Sequence, residues 1–205
     1  EKALVCVGRR PITEGLNLAA ADLETNENGA LDVNEHMQTE QPHIYAVGDV
    51  TGEHLLAHVA SHEGTVAAAH ATGSVSAHVD YRVVPACVFT APEIATVGPT
   101  EQEAREQGLD PKVAKFPLRA LGKAHIEEDT DGFVKMLADP DTDEVIAVHI
   151  VATDASALIG EAALGMELEA TAREYAETIH AHPTMPEAVS QAAEGILGLP
   201  IDWTG

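Results

Sequence analysis

The later part of the chain places its strand-like segments before its helix-like segments, and this order limits the folds that it can adopt. From residue 81 to about residue 152, short apolar runs alternate with polar residues, and beyond that point apolar residues recur at helical spacing. The strand candidates are 84–89, 94–98, 112–118, 132–138 and 145–151, and the helix candidates are 156–168, 171–178 and 187–197. A capping-box pattern at Thr100 and Glu103 predicts one further short helix. Strands followed by helices predict an α+β domain over residues 81–205, with helices on one face of an antiparallel sheet.

The first 73 residues have a different pattern, with two apolar runs and one long helix. Ala3–Val7 is a β-prone run stopped by a Gly-Arg-Arg-Pro turn, and His43–Val47 is a second run closed by a Gly-Asp pair. From about Leu55 to Ala71 the sequence is rich in Ala and carries apolar residues on one face. These segments predict an α/β arrangement, which a polar linker from Thr72 to Asp80 separates from the second domain.

Acidic residues dominate the charge of the chain. The 205 residues include 34 Asp and Glu but only 11 Lys and Arg, which gives a formal net charge of −23. Such a surface repels phosphate backbones and anionic lipid heads, so nucleic acid and membranes are not expected as partners. The acids recur from Glu1 to Asp202 within apolar-periodic segments, as on the surface of a folded domain. We expect a halophilic source, because a cytoplasm of high salt screens this self-repulsion.

Removal of salt is therefore expected to destabilise the protein. Unscreened repulsion among the carboxylates should unfold or dissociate it when molar salt is withdrawn. The melting temperature, measured from low to multimolar KCl, should rise with salt. A flat or falling curve would contradict the halophilic interpretation.

The cysteines and the apolar runs point to a protein of a reducing compartment. Cys6 and Cys87 lie in separate apolar segments and form no CxxC pair, so both are expected to be buried, unpaired thiols. No run of about eighteen apolar residues and no signal-peptide pattern is present, which predicts a cytoplasmic protein. Because the chain begins without Met and directly in a strand-like run, we expect it to be a piece of a longer protein.

Asp49 follows a strand candidate and precedes the long helix. Nucleotide cofactors are held at the carboxyl ends of strands in open α/β sheets, where a carboxylate can bind a ligand hydroxyl. The helix behind it would direct backbone N–H groups toward an electron-rich or anionic group. A Gly-Asp pair also closes many strands as an ordinary turn, and that interpretation stays open.

A second candidate site is the segment His180-Ala-His182-Pro-Thr-Met-Pro-Glu187, which lies between two predicted helices. Pro183 keeps His182 out of helical geometry, and Glu187 opens the next helix within reach of the imidazole. A histidine oriented by a carboxylate can act as a general base. The alternative is a histidine that caps or packs in a helix junction beside a solvated acid.

Two patterns resemble metal sites without meeting their requirements. His54, His58 and His62 recur at four-residue spacing on the predicted helix, but no Cys pair or HExxH pattern accompanies them. Asp139-Pro-Asp-Thr-Asp143 resembles the start of a calcium loop but has Glu144 where that loop needs glycine. We predict no metal site and an acidic hairpin turn after residue 138.

Five motifs, taken together, resemble the flavoprotein disulfide reductases, also called pyridine nucleotide-disulfide oxidoreductases. They are VCVGRRP, IYAVGDV, LLAHVASHEG, TAPEIATVG and HAHPTMPE, in this order over nearly the whole chain. The two-histidine form HAHPT followed by Glu is similar to the lipoamide branch of this family more than to the glutathione reductases. The resemblance implies the end of a Rossmann-like FAD and NAD region, followed by a C-terminal dimerisation domain.

The resemblance also implies roles for individual residues. Gly8 would approach NAD, Asp49 would bind the ribityl chain of FAD, and the flavin would lie against Leu55, Leu56, Ala57 and His58. Residues 1–10 would be the last strand of the NAD-binding domain, 11–73 the returning part of the FAD-binding domain, and 81–205 the interface domain. That domain would build a homodimer in which His182, held by Glu187, reaches the active site of the partner subunit.

The chain departs from the family pattern in two places. It has no GxGxxG and no CxxxxC redox pair. The implied reaction, in which dihydrolipoyl groups on an acyltransferase arm or free dihydrolipoamide are oxidised with NAD through FAD and a disulfide, would thus belong to a longer parent enzyme. The alternatives are a dimerisation or binding module, a metal-binding helical module, and a glutathione or mercuric reductase of the same family.

Overall fold

The structure is a computed structural model that describes residues 2–74 and 76–199. The chain divides into two compact units, Glu1–Tyr81 and Arg82–Gly205. Within the described ranges, no helix has both the length and the apolar character needed to cross a lipid bilayer.

The first unit is built around the predicted Ala-rich helix, α1 (Ala57–Ala71). Short 3₁₀ turns occur at Leu18–Ala21 and Gly48–Thr51. The buried face of α1 includes Val66 and Ala67, which form a small core with Met37 and Val79. The helix prediction is confirmed, with the start at Ala57 instead of Leu55.

The two strands expected in this unit are not formed. Residues 2–10 carry no ladder hydrogen bonds in the described structure, and Leu4, Val5 and Val7 are between 78% and 87% exposed. Cys6 is also exposed, so the expectation of a buried thiol is wrong there. A β-prone run becomes a strand only when a neighbouring strand pairs with its N–H and C=O groups, and the described part of this unit offers none.

The second run, His43–Val47, makes only a single bridge, between Tyr45 and Gln38. The backbone at Met37 has a φ of 65°, in the left-handed region, so the segment opposite the run turns away after one bridge. The run then enters the 3₁₀ turn at Gly48–Thr51.

The second unit is an antiparallel sheet covered by helices, which confirms the predicted α+β fold. The strands are β1 (Ala86–Val88), β2 (Glu93–Val97), β3 (Lys112–Pro117), β4 (Phe133–Ala138) and β5 (Val145–Ala152). Their order across the sheet is β1-β2-β5-β4-β3, and every pairing is antiparallel. The helices are α2 (Glu101–Glu106), α3 (Gly122–Ile126), α4 (Ala155–Glu167), α5 (Ala172–Glu177) and α6 (Glu187–Ile196).

The alternation along the strands separates the two faces of the sheet. Val134, Met136, Val148 and Ile150 point into the main core, where α4 and α6 pack against the strands and α5 packs against α6. On the other face, Leu137 and Ala147 pack with Ala104 of α2, so the expectation that the helices lie on one face of the sheet is wrong for α2.

Two local sequence patterns form the structures that were predicted from them. The capping box is present at the start of α2, where the Glu103 N–H donates to the Thr100 hydroxyl at 3.2 Å and the Thr100 N–H donates to the Glu103 carboxylate at 2.7 Å. The acidic segment between β4 and β5 is a turn, in which Asp139 accepts hydrogen bonds from the N–H groups of Asp141 and Thr142. These N–H donors lower the pKa of Asp139 below its usual value, the Thr142 donor most strongly.

Candidate functional site

The bend over residues 178–186 joins α5 to α6 and carries both predicted histidines. A capping box at Thr171 opens α5, and the Tyr175 hydroxyl donates to the Ala162 carbonyl of α4 at 2.7 Å. The His182–Pro183 peptide bond is cis, and Glu187 is the first residue of α6. The bend is thus held between α5, which packs against α6, and α6, which packs against the sheet.

The structure brings His182 and Glu187 together. His182 Nδ1 lies 2.8 Å from Glu187 Oε1, and the other carboxylate oxygen accepts the Thr184 N–H at 2.7 Å. The His182 side chain is 76% exposed, whereas that of Glu187 is 22% exposed. A partly buried acid with both oxygens engaged therefore orients an imidazole that projects from the protein.

The electrostatics of the bend keep Glu187 ionised. Burial raises the pKa of Glu187, but hydrogen bonds from the Thr184 N–H and from His182, together with nearby histidine charge, outweigh it and leave that pKa below its usual value. An ionised carboxylate at Nδ1 favours a proton on that nitrogen, which leaves Nε2 as the basic atom. The arrangement can accept a proton at Nε2 and stabilise the resulting cation.

In the first unit, Asp49 lies exposed in the 3₁₀ turn that precedes α1. The Gly-Arg-Arg-Pro segment reaches the same region, because Arg9 Nη1 donates to the Leu55 carbonyl. Gly8, just before it, is exposed with a φ of 80°, in the left-handed region that favours glycine. Residues separated by more than forty positions are thus brought to the start of one helix.

The start of α1 has the features of an acceptor-binding helix end. Its N-cap residue, Leu56, makes no side-chain capping hydrogen bond, and no acidic residue lies in the first turn. Ala57 and His58 are exposed, while Leu55 and Leu56 are partly buried. A helix start without a side-chain cap or a first-turn acid, near an exposed carboxylate, suits a ligand with both electron-rich atoms and hydroxyls, which is the chemistry of FAD.

Glu63 is a buried acid that the sequence analysis missed. Its side chain is fully buried, with Oε2 accepting the Gly48 N–H at 2.6 Å and Oε1 accepting the Tyr81 hydroxyl at 2.7 Å. Burial, reinforced by the hydrogen bond to Glu63, raises the pKa of Tyr81. Glu63 thereby fixes the backbone next to Asp49. The available signal was its place on the apolar face of the helix, four residues after Val59.

Comparisons with known families match both units. The model described as "Pyridine nucleotide-disulphide oxidoreductase, dimerisation domain" matches residues 84–193, and the model "Pyridine nucleotide-disulphide oxidoreductase" matches residues 1–64. This chain belongs to the pyridine nucleotide-disulphide oxidoreductases. The resemblance inferred from the five motifs is confirmed at the level of the family.

Several members of the pyridine nucleotide-disulphide oxidoreductases are similar to the chain over most of its length. Proteins named dihydrolipoyl dehydrogenase are 47% identical in Bacillus subtilis and 48% identical in Haloferax volcanii, over 94% and 97% of this chain. The crystal structure of LpdA from Mycobacterium tuberculosis superposes with a TM-score of 0.86 at 34% identity, over 92% of this chain and 41% of that chain. The chain spans 40% and 42% of the two curated relatives.

The histidine and aspartate patterns that resemble metal sites do not bring three ligands together in the described part of this chain. The described residues contain no group of three or more His, Cys, Asp or Glu side chains that could hold a metal ion. His54 precedes α1 and packs against Tyr81 with ring centroids 4.8 Å apart, so the expected three-histidine helical face is wrong. Cys87 is a free, partly buried thiol, and burial raises its pKa.

Proposed function

We propose that this chain is the C-terminal part of a cytoplasmic flavoprotein that oxidises dihydrolipoyl groups with NAD, using FAD and a redox disulfide. The observation that carries the proposal is the 2.8 Å contact between His182 and Glu187, because thiol oxidation by a disulfide needs a positioned base. The relatives named dihydrolipoyl dehydrogenase favour a dihydrolipoyl donor over the glutathione and mercuric alternatives.

In the proposed reaction, His182 Nε2 takes a proton from one thiol of the dihydrolipoyl group. The thiolate attacks one sulfur of the enzyme disulfide, and the other sulfur leaves as a thiolate. The second substrate thiol passes its proton to the thiolate released first, and its sulfur attacks the mixed disulfide. This releases lipoyl disulfide and leaves the enzyme disulfide reduced to a dithiol in which one sulfur is a thiolate paired with the His182 imidazolium. Throughout these steps Glu187 stabilises the imidazolium. FAD, when bound, would supply a two-electron carrier between this dithiol and NAD.

The first unit would hold the cofactors. Asp49 would bind a ribityl hydroxyl of FAD, and Leu55, Leu56, Ala57 and His58 would lie against its ring system. The start of α1 supports this assignment, because it has no side-chain cap and no first-turn acid and so suits the electron-rich pyrimidine edge. Gly8 would approach NAD. The corresponding domain limits are 1–10 for the NAD-binding domain, 11–73 for the FAD-binding domain and 81–205 for the interface domain.

The test of this function is an assay of the complete enzyme. We expect flavin absorbance and NAD reduction that depends on dihydrolipoamide. Reduction of glutathione disulfide or mercuric ion with NADPH, in place of that reaction, would favour the other branches of the family. An enzyme without flavin absorbance would favour a dimerisation or binding module. A reduced lipoyl group on an acyltransferase should also serve as the electron donor when it is supplied in place of free dihydrolipoamide.

The complete enzyme is also expected to be an obligate homodimer. A base that projects from its own subunit, as His182 does, can serve an active site that the partner completes. We place the contact on the helices predicted at 156–168 and 187–197; Leu164 and Leu168, 62% and 72% exposed, support the choice. Obligate interfaces bury more than about 2,000 Å². Sedimentation at working salt should give a dimer, and a stable, active monomer would refute the proposal.

A further inference from the structure

A second histidine–carboxylate pair lies beside the first. His180 Nε2 is 2.8 Å from Glu161 Oε1 on α4, and His180 Nδ1 is 2.8 Å from the Thr178 carbonyl oxygen. The His180 side chain is only 9% exposed, in contrast to the 76% of His182. The two imidazoles of one bend therefore have opposite environments: one is buried with both nitrogens engaged, and the other projects outward.

The contacts of His180 tie the bend to a helix that is itself anchored in the core. Glu161 lies in α4 between Ile159 and Ala162, both of which are buried in the main core. The Thr178 carbonyl oxygen and the Glu161 carboxylate can only accept, so the neutral ring donates to one of them and the protonated ring donates to both. Breaking the contact between His180 and Glu161 would leave the buried imidazole nitrogen without a partner, and this free-energy cost stabilises the position of the bend.

The residues of the bend next to His180 make few other contacts that could hold its position. Ile179 is 98% exposed and packs against nothing that would hold it. On the far side of His182, Met185 packs against the core and Thr184 is bound to Glu187. Among the described residues, the hydrogen bond between His180 and Glu161 links residues 179–181 to α4.

We propose that Glu161 and His180 are positioning residues, which anchor the bend so that His182 meets the thiol in the geometry needed for proton transfer. The inference rests on the proposed function, because it concerns how that base is presented. Misplacement of a catalytic group by about 1 Å can cost about 10²-fold in rate. His180 needs no contact with the substrate in this role.

The test compares Glu161→Ala and Glu161→Gln in the complete enzyme, with Glu106→Ala, an exposed acid on α2 outside the proposed dimer contact, as the control. We expect Glu161→Ala to lower kcat with dihydrolipoamide by about 10- to 10²-fold with little change in KM. Glu161→Gln should recover most of the rate, because its amide oxygen still accepts from Nε2. Transfer from NADH to an artificial electron acceptor should be unchanged, since it bypasses the thiol base.

Amide hydrogen exchange over residues 178–186 gives a readout independent of catalysis. Glu161→Ala should increase exchange there, and the control Glu106→Ala should not. The proposal is overturned if Glu161→Ala keeps the wild-type kcat, if both activities fall together, or if exchange in the bend is unaltered. Absence of dihydrolipoamide oxidation in the wild type would instead refute the proposed function, and the exchange comparison would still decide whether Glu161 anchors the bend.

Discussion

Replacement of His182 by Gln is expected to lower turnover of dihydrolipoamide by about 10² to 10⁴, the usual contribution of general acid–base catalysis. Gln can still accept or donate a hydrogen bond, but it cannot take up the thiol proton at neutral pH. Flavin content should be unchanged, because the proposed contacts to FAD come from Asp49 and the start of α1. Steady-state kinetics and flavin absorbance of the complete enzyme measure the two effects separately.

The order of effects among neighbouring residues tests the assignment. Glu187→Gln should lose less than His182→Gln, since Glu187 orients and stabilises the imidazolium without exchanging the proton. His180→Gln should lose least, because it acts only through the bend. His125→Gln, on an exposed histidine of α3, is the matched control and should have no effect. Near-normal turnover of His182→Gln, or a larger loss at His180, would show that the wrong histidine has been assigned.

Replacement of Glu63 by Leu is expected to destabilise the first unit strongly. The change leaves the buried Gly48 N–H and the partly buried Tyr81 hydroxyl without the Glu63 carboxylate as their acceptor. Each unsatisfied buried donor costs about 1–3 kcal/mol, so the free energy of unfolding should fall by about 2–6 kcal/mol. Flavin should also be retained less tightly, because the backbone beside Asp49 is no longer held.

A matched series separates the charge of Glu63 from its hydrogen bonds. In Glu63→Gln the amide oxygen can accept the Gly48 N–H while the amide nitrogen donates to the Tyr81 oxygen, so most stability should remain. Glu27→Leu removes an exposed acid of the same unit and should be nearly silent. Melting temperature and flavin release on dilution are the measurements. Equal stability of Glu63→Leu and Glu27→Leu would contradict this account of the buried acid.

Local sequence patterns predicted the second unit well, because its strands and helix starts are determined by residues close together in the sequence. The alternation in 132–138 and 145–151 gives strands that pair through a short turn, and the capping box at Thr100 marks the start of α2 without long-range information. The pairing of His182 with Glu187 was accessible for the same reason, since only five positions separate them.

The missed features depend on distant partners. Ala3–Val7 has the composition of a strand, but composition does not supply a neighbouring ladder. The contact of His180 with Glu161 spans 19 positions and depends on how α4 packs beside the bend, which no spacing rule gives. Glu63 was the exception, because a charged residue on an apolar helix face is a visible signal of a buried hydrogen-bonded site.

The first turn of α1 has no side-chain cap and no acidic residue, and this creates a trade-off between the stability of the helix and the binding of a cofactor at its start. A chain with 34 acidic residues places none of them in this turn, although acids there would stabilise the helix. A Ser or Asp introduced in place of the N-cap Leu56 would add about 0.5–2 kcal/mol of stability by accepting the terminal N–H groups. The same side chain would occupy the donors proposed for the flavin. Capping substitutions at other helices of this protein should therefore raise its melting temperature without affecting the flavin. At the start of α1, the same kind of substitution should raise the melting temperature of the apoprotein but weaken its binding of the cofactor.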